Sequence, residues 1–246
     1  MKNVSLLMVL LVAAVLLVLL VAACASPPPP PPSPPSPPPP ASAEPPHAMH
    51  GHHGPHRFEG AEQWAKAFDD PARDAWQRPD DVVKGLSLPD NAVVADIGAG
   101  TGYFAVRIAR AVPRGKVFAV DVEQDMVRYL RERAAREGLA NIVPLLSPPD
   151  DAKLPEAVDV ALVVDTVHHI EQRTAYFTKL KGSLKPAGRV VIVDFKMGQI
   201  PVGPPEAMRL PPATVTEELK AAGLALVSLD ERTLPYQYIA IYSQAP

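Results

Sequence analysis

The chemistry of this chain centres on two carboxylates and three glycines. Asp96 lies in the apolar run Val94-Ala95-Asp96-Ile97, and Gly98, Gly100 and Gly102 follow at alternating positions, with Ala99 and Thr101 between them. Glycine tolerates φ > 0 and leaves no Cβ between the main chain and a ligand. The helical-looking stretch from Tyr103 to Ala111 would then aim its first amides at whatever sits over the turn. A dinucleotide turn is spaced G-x-G-x-x-G so that a pyrophosphate rests on the helix N-terminus. Here the pattern is G-x-G-x-G, and Tyr103 stands where the last glycine of that fingerprint belongs. An NAD-type oxidoreductase therefore fails on spacing, and the chain also offers no separate catalytic domain for one. Asp121 lies 23 residues after Gly98, near the ~20-residue offset at which an acid meets ribose hydroxyls in a strand-helix-strand unit. An ionised carboxylate only accepts hydrogen bonds, so two vicinal hydroxyls can both donate to it. A third group, Asp165, His168 and His169, follows another apolar run.

The elements that must hold these residues read as alternating strands and helices. Lys116 to Val120 is an apolar strand ending at Asp121. A helix over Gln124–Glu137 follows, closed by Gly138 as C-cap. Ile142–Leu146 is a third strand. Val158–Val164 is a near-continuous apolar run, as expected of a parallel strand covered on both faces. Next come a helix over Thr174–Leu184, a turn at Lys185-Pro186-Ala187-Gly188, a strand over Arg189–Phe195, a helix near Thr216–Ala222, and two strands, Leu224–Leu229 and Tyr236–Tyr242. This order specifies a doubly wound α/β domain of three layers, α/β/α. Its seven-stranded sheet is mostly parallel with an antiparallel C-terminal strand. Such sheets bind ligands at the carboxyl ends of their strands, where Asp121 and Asp165 both fall.

The turn Asp96-Ile97-Gly98-Ala99-Gly100-Thr101-Gly102 resembles motif I of the class I S-adenosylmethionine-dependent methyltransferases, and Lys185-Pro186-Ala187-Gly188 is similar to their Lys-Pro-Gly-Gly turn. The resemblance covers about residues 68–242. It implies the Rossmann-like methyltransferase fold and S-adenosyl-L-methionine as cofactor. Asp96, Gly98, Ala99, Gly100 and Gly102 would lie at its methionine end, which Tyr103 either touches or packs under, with Asp121 at the ribose and Val122 among the cofactor contacts. Either Asp150 or Asp151 would meet the adenine amino group. Methyl transfer from a sulfonium is an in-line displacement, so positioning is the main task. A base is needed only for an unactivated hydroxyl, amine or thiol. His168 and His169 are the candidates, because imidazole titrates near neutrality. Successive loop residues rarely face one way, so one at most should reach the acceptor; the other reading is a histidine that caps a helix or packs structurally. Asp165, which ends its strand, is expected to line the pocket.

Ahead of this domain, composition changes twice. Lys2 precedes an unbroken apolar stretch from Leu6 to Ala23 and then Cys24, the single cysteine. Val21-Ala22-Ala23-Cys24 resembles a bacterial lipobox, in which the cysteine carries the lipid. The competing reading is an uncleaved span, since the stretch approaches the ~20 residues that cross a bilayer. Either way residues 1–24 tether the chain, and a cationic N-terminus leaves the remainder outside the cytoplasm. The expected location is the cell envelope, facing the periplasm or the exterior. Residues 25–60 read as a linker. Pro27–Pro46 is an extended polyproline spacer whose 20 residues could reach on the order of 60 Å at ~3.1 Å each. His47 to His56 holds five of the seven histidines, a composition that binds Zn, Cu or Ni weakly or is simply a solvated continuation of the linker.

Residues 61–246 suffice for one core. The formal net charge of −3 provides no basic footprint for nucleic acid, so a small-molecule acceptor is expected. A helical cap at Phe68–Pro79 should cross the cofactor mouth, with Trp76 as core rather than a stacking ring. A non-catalytic envelope binding module that kept the fold is the alternative in a different class. For the tether, Cys24→Ser should leave an unprocessed, slower-migrating precursor. Unchanged mobility and no fatty-acid label on the wild type would instead favour the transmembrane span.

Overall fold

Neighbouring residues of the central strands bury against opposite faces of one sheet, which is why these segments are predominantly apolar. The computed structural model describes residues 60–245. The strands are β1 (Val93–Ile97), β2 (Lys116–Asp121), β3 (Ile142–Leu146), β4 (Val158–Val164), β5 (Leu184–Phe195), β6 (Leu224–Asp230) and β7 (Gln237–Gln244). Val94, Val117, Ala119, Val160, Leu162, Val191 and Val193 face one helical layer. Ala95, Phe118, Val120, Ala161, Val163, Val190 and Ile192 face the other. At ~25 cal/mol per Å² of apolar surface, this two-sided burial is the main drive to fold.

The strand order is β3-β2-β1-β4-β5-β7-β6. The pairs β1–β2, β1–β4, β2–β3 and β4–β5 are parallel. β7 runs antiparallel to both β5 and β6. The chain builds outward from β1 to β3, returns to β4, and so reverses direction between β1 and β4. That reversal opens a crevice at the carboxyl ends of the two strands.

The helices are α1 (Ala61–Phe68), α2 (Asp74–Gln77), α3 (Pro79–Gly85), α4 (Ala105–Ala111), α5 (Gln124–Arg136), α6 (Arg173–Lys181) and α7 (Pro212–Ala221). Several boundaries differ from expectation: α6, expected to run to Leu184, stops at Lys181 because Leu184 is taken into β5, and three others have local reasons. α4 begins at Ala105 rather than Tyr103, because the glycine turn continues through Tyr103 and Phe104. α7 begins at Pro212, four residues early, with proline in the first turn where no amide is needed. β5 begins at Leu184, before the Lys-Pro turn. Leu184 pairs with Val158 and Arg189 with Val160, so residues 185–188 bulge out within the strand, a position that tolerates proline.

Among the described residues, no helix is long and apolar enough to cross a membrane, and no cluster of His, Cys, Asp and Glu could hold a metal ion. Cys24, the proline spacer and the His47–His56 stretch lie outside the described residues.

α6 packs Tyr176, Phe177 and Leu180 onto the sheet, with Phe177 fully buried. Phe177→Ala should lower the unfolding free energy by about 3–5 kcal/mol, read by urea denaturation. A loss below about 1 kcal/mol would mean that α6 contributes little to the core.

Candidate active site

The glycine turn is strapped to the strand beside it. The amides of Gly98 and Ala99 both donate to the Val120 carbonyl at 2.9 Å, and the amide of Gly100 donates to Asp121 Oδ2 at 2.8 Å. Gly98 has φ +72, and a Cβ there would overlap the Thr166 side chain just past β4. Gly100 has φ +54, and its open side faces the Phe68 ring, 3.4 Å from where a Cβ would stand. Asp121 also accepts the Glu123 amide through Oδ1 at 2.9 Å. Two amides thus hold its carboxylate, leaving lone pairs free on each oxygen. Burial raises the Asp121 pKa, and these two amides pull it back.

Asp96 sits behind the turn at 3 % exposure. Its Oδ2 is buried with no hydrogen-bond partner among the described residues. Burial, and then repulsion from Asp121, push its pKa up to about 7, opposed by the Ala105 amide. At the same edge Val122 and Leu146 leave apolar surface exposed, and β2 and β3 set Asp121 opposite Leu146. Asp150 and Asp151, by contrast, are engaged outside the turn. Asp150 pairs with Lys179 of α6 at 2.6 Å, and Asp151 with Lys153 at 3.0 Å.

Across the crevice, Asp165 follows β4 with φ +51. It accepts hydrogen bonds from Gln77 Nε2 at 2.8 Å and from Gln237 Nε2. Arg73 lies 3.4 Å from the same carboxylate. Burial lifts the Asp165 pKa to about 6 against the opposing charge of Arg73. His168 lies in the 3-10 turn Val167–His169, and its Nδ1 is 3.0 and 3.1 Å from the two oxygens of Asp194. Asp194 is fully buried near the end of β5 and also takes the Phe195 amide. Desolvation opposes charging of His168, yet the hydrogen bond and charge of Asp194, with Asp165 adding, carry its pKa above the ordinary value. With Nδ1 committed to Asp194, Nε2 is the nitrogen left to exchange a proton. His169 is exposed, its ring centroid 4.2 Å from that of His168 and tilted by 45°.

The cap lies over this edge as expected. Asp69 accepts from Thr101 Oγ1 at 3.1 Å and from Arg133 at 2.7 Å. Trp76 is buried against Phe195 and Tyr236, so it is core. Tyr103 is buried too, donates its hydroxyl to Asp74, and is flanked by the guanidiniums of Arg73 and Arg107. It braces the cap against the turn. The sequence reading missed Arg73, Gln77, Asp194 and Gln237. Asp194 had a visible signal, an acid interrupting the apolar run of β5. The other three had none.

Residues 94–188 match a family model described as a methyltransferase domain. That match takes in less than half of the chain. Its fold is the Rossmann-like methyltransferase fold. It is similar to the crystal structure of a SAM-dependent methyltransferase from Aquifex aeolicus, at 28% identity and TM-score 0.70, covering 74% of this chain and 97% of that one. It is 35% identical over 103 residues to an uncharacterised methyltransferase of Mycobacterium tuberculosis, covering 42% of this chain and 50% of that protein. It is 32% identical over 118 residues to a ubiquinone/menaquinone biosynthesis C-methyltransferase of Bordetella bronchiseptica, covering 45% of this chain and 43% of that one. The chain spans about half the length of the curated relatives it matches.

The buried acids at this edge give a pH signature. The folded pKa of Asp96, about 7 against an ordinary 3.8, means that the fold retains a proton the unfolded chain has released. Its burden on stability is therefore absent in acid and grows as pH rises from about 4 to 7. Asp96→Asn should stabilise the ligand-free protein above pH 7 and flatten this slope, with Asp165 leaving a residual slope up to about pH 6. Thermal melts across that range check it; an unchanged slope would count against a buried, strained Asp96.

Proposed function

We propose that this protein is an S-adenosylmethionine-dependent methyltransferase acting on a small-molecule acceptor, held at the cell envelope by residues 1–24. The observation that carries the reading is the crevice at the β1/β4 reversal. There the glycine turn, the partnerless buried Oδ2 of Asp96 and the strand-end carboxylate of Asp121 converge. Their donor set fits the cofactor. Asp121 has acceptor capacity for two ribose hydroxyls, Val122 and Leu146 offer apolar surface for a flat base, and Asp96 has a free acceptor near the turn. When bound, S-adenosylmethionine supplies a methyl group on a sulfonium for in-line displacement. The names of the Aquifex and Bordetella relatives support this reading.

The chain's own part is to hold, orient and deprotonate. Asp121 fixes one end of the crevice through amides on either side of it. Asp165, gripped by the cap and by β7, closes the opposite wall. His168 takes the acceptor's proton at Nε2, and Asp194 acts through it as a positioning residue that fixes the tautomer and stabilises the imidazolium. The cap keeps water from the crevice, which strengthens each of these interactions. The envelope location draws on Lys2, the Leu6–Ala23 stretch and Cys24, and the small acceptor on the absence of a net basic charge.

Calorimetric titration of the full chain with S-adenosylmethionine and S-adenosylhomocysteine tests the cofactor directly; no binding to either sinks the proposal. Asp121→Ala should weaken binding by about 1–3 kcal/mol, the cost of leaving ribose donors unpaired. Turnover can be followed as S-adenosylhomocysteine released with a small-molecule cell fraction as acceptor source. In that assay His168→Ala should cost on the order of 10²–10⁴ in rate with cofactor affinity retained. Asp194→Asn removes the charge that raises His168, so the ascending limb of its pH–rate profile should move to lower pH. An unmoved limb would leave Asp194 a purely structural residue.

A further inference from the structure

A cleft of about 700 Å³ opens between α3, α4 and α5. None of the residues assigned above to cofactor or acceptor lines it. Its apolar wall includes Val83, Leu88 and Val106, while Lys84, Arg107, Arg110 and Arg133 bring four cations against two carboxylates, Asp80 and Glu137. In a chain of net charge −3, that local excess is a selective feature.

Carboxylates beyond the lining, Asp69 and Asp74, take up part of this charge through Arg133 and Arg107. Glu137 serves both Arg110, at 2.6 Å, and Arg133, at 2.8 Å, and Arg133 also takes Asp69 of the cap at 2.7 Å. Arg107 turns to Asp74 and Asp80. Lys84 is exposed and makes no ion pair among the described residues. A neutral ligand would waste these charges and a fully polar anion would waste the apolar wall. The volume falls within the ~300–1,000 Å³ range of small-molecule sites.

We propose that this cleft is a second ligand site for a small anionic amphiphile, a single-chain carboxylate, whose occupancy is coupled to the glycine turn. Arg133 is the link. From the cleft its Nη1 reaches the Thr101 carbonyl at 3.0 Å and Asp69 of the cap at 2.7 Å. A carboxylate drawn between Lys84 and Arg110 competes with Glu137 and Asp69 for Arg133. That loosens the hold on Thr101, and so on Gly100 and Gly102 beside it. The coupling rests on the cofactor reading above; the site itself does not.

The test uses the full chain and dodecanoate below its micelle concentration, with dodecanol and inorganic phosphate as the uncharged and tail-less comparisons. Dodecanoate should bind in calorimetry, and dodecanol and phosphate should each bind about tenfold more weakly, since a charge-assisted pair and an apolar tail are each worth that much. Lys84→Glu and Arg110→Gln, both at exposed positions, should each weaken dodecanoate about tenfold, and Lys84→Glu, which breaks no ion pair, should leave the melting temperature unchanged. Equal binding of dodecanol, or indifference to both substitutions, would overturn the site. Saturating dodecanoate should weaken S-adenosylhomocysteine about fivefold, and by reciprocity the nucleoside should weaken dodecanoate equally. An unmoved affinity would overturn the coupling. Binding of dodecanoate by a protein that takes no nucleoside would uphold the site and refute the cofactor reading instead.

Discussion

The Val120 carbonyl and the Asp121 carboxylate receive three consecutive amides, those of Gly98, Ala99 and Gly100, and the geometry of the whole carboxyl edge depends on that strap. It ties the turn after β1 to the end of β2. The contact between Gly98 and Thr166 ties the same turn to the end of β4. A side chain at Gly98 would push β1 and β4 apart at the one place where the sheet order reverses. The crevice is thus defined by backbone, which gives the site rigid walls without relying on mobile side chains.

Electrostatics at this edge follow from the same geometry. Asp96, Asp121 and Asp165 are all raised by burial, and each is stabilised by a different device. Asp121 has two amides, Asp165 has two glutamines and a guanidinium, and Asp96 has one amide and an unpaired oxygen. The site therefore holds more negative charge than it satisfies internally. Such an imbalance costs stability in the empty fold and favours a ligand that brings donors or positive charge.

The cap couples both halves of the crevice. Asp69 reaches Thr101 and Arg133 on the glycine side, while Arg73 and Gln77 reach Asp165 on the other. It is built from short helical pieces between prolines, with Trp76 as the buried anchor. Few residues in this segment belong to the main core clusters. Its hold comes mainly from polar contacts to the site itself, so occupancy and cap order should respond to one another.

By itself the sequence determined the layers, the strand count and the ligand edge. β4 runs over the residues its apolar pattern indicates, because a strand covered on both faces stays largely apolar and stops where polarity returns. The glycine spacing and the acid at the end of β2 were equally legible, since turn chemistry and strand-end position are local properties. Tertiary structure decided the rest. Residues 185–188 became a bulge within β5 because Leu184 finds Val158 across the sheet. Asp165 acquired Gln77 and Gln237 as partners 88 and 72 residues away in the chain, and His168 acquired Asp194. No periodicity encodes such pairs. They arise because β5 and β7 are adjacent and antiparallel and because the cap folds back over β4, so partners distant in sequence meet at one buried edge where each polar group must find another.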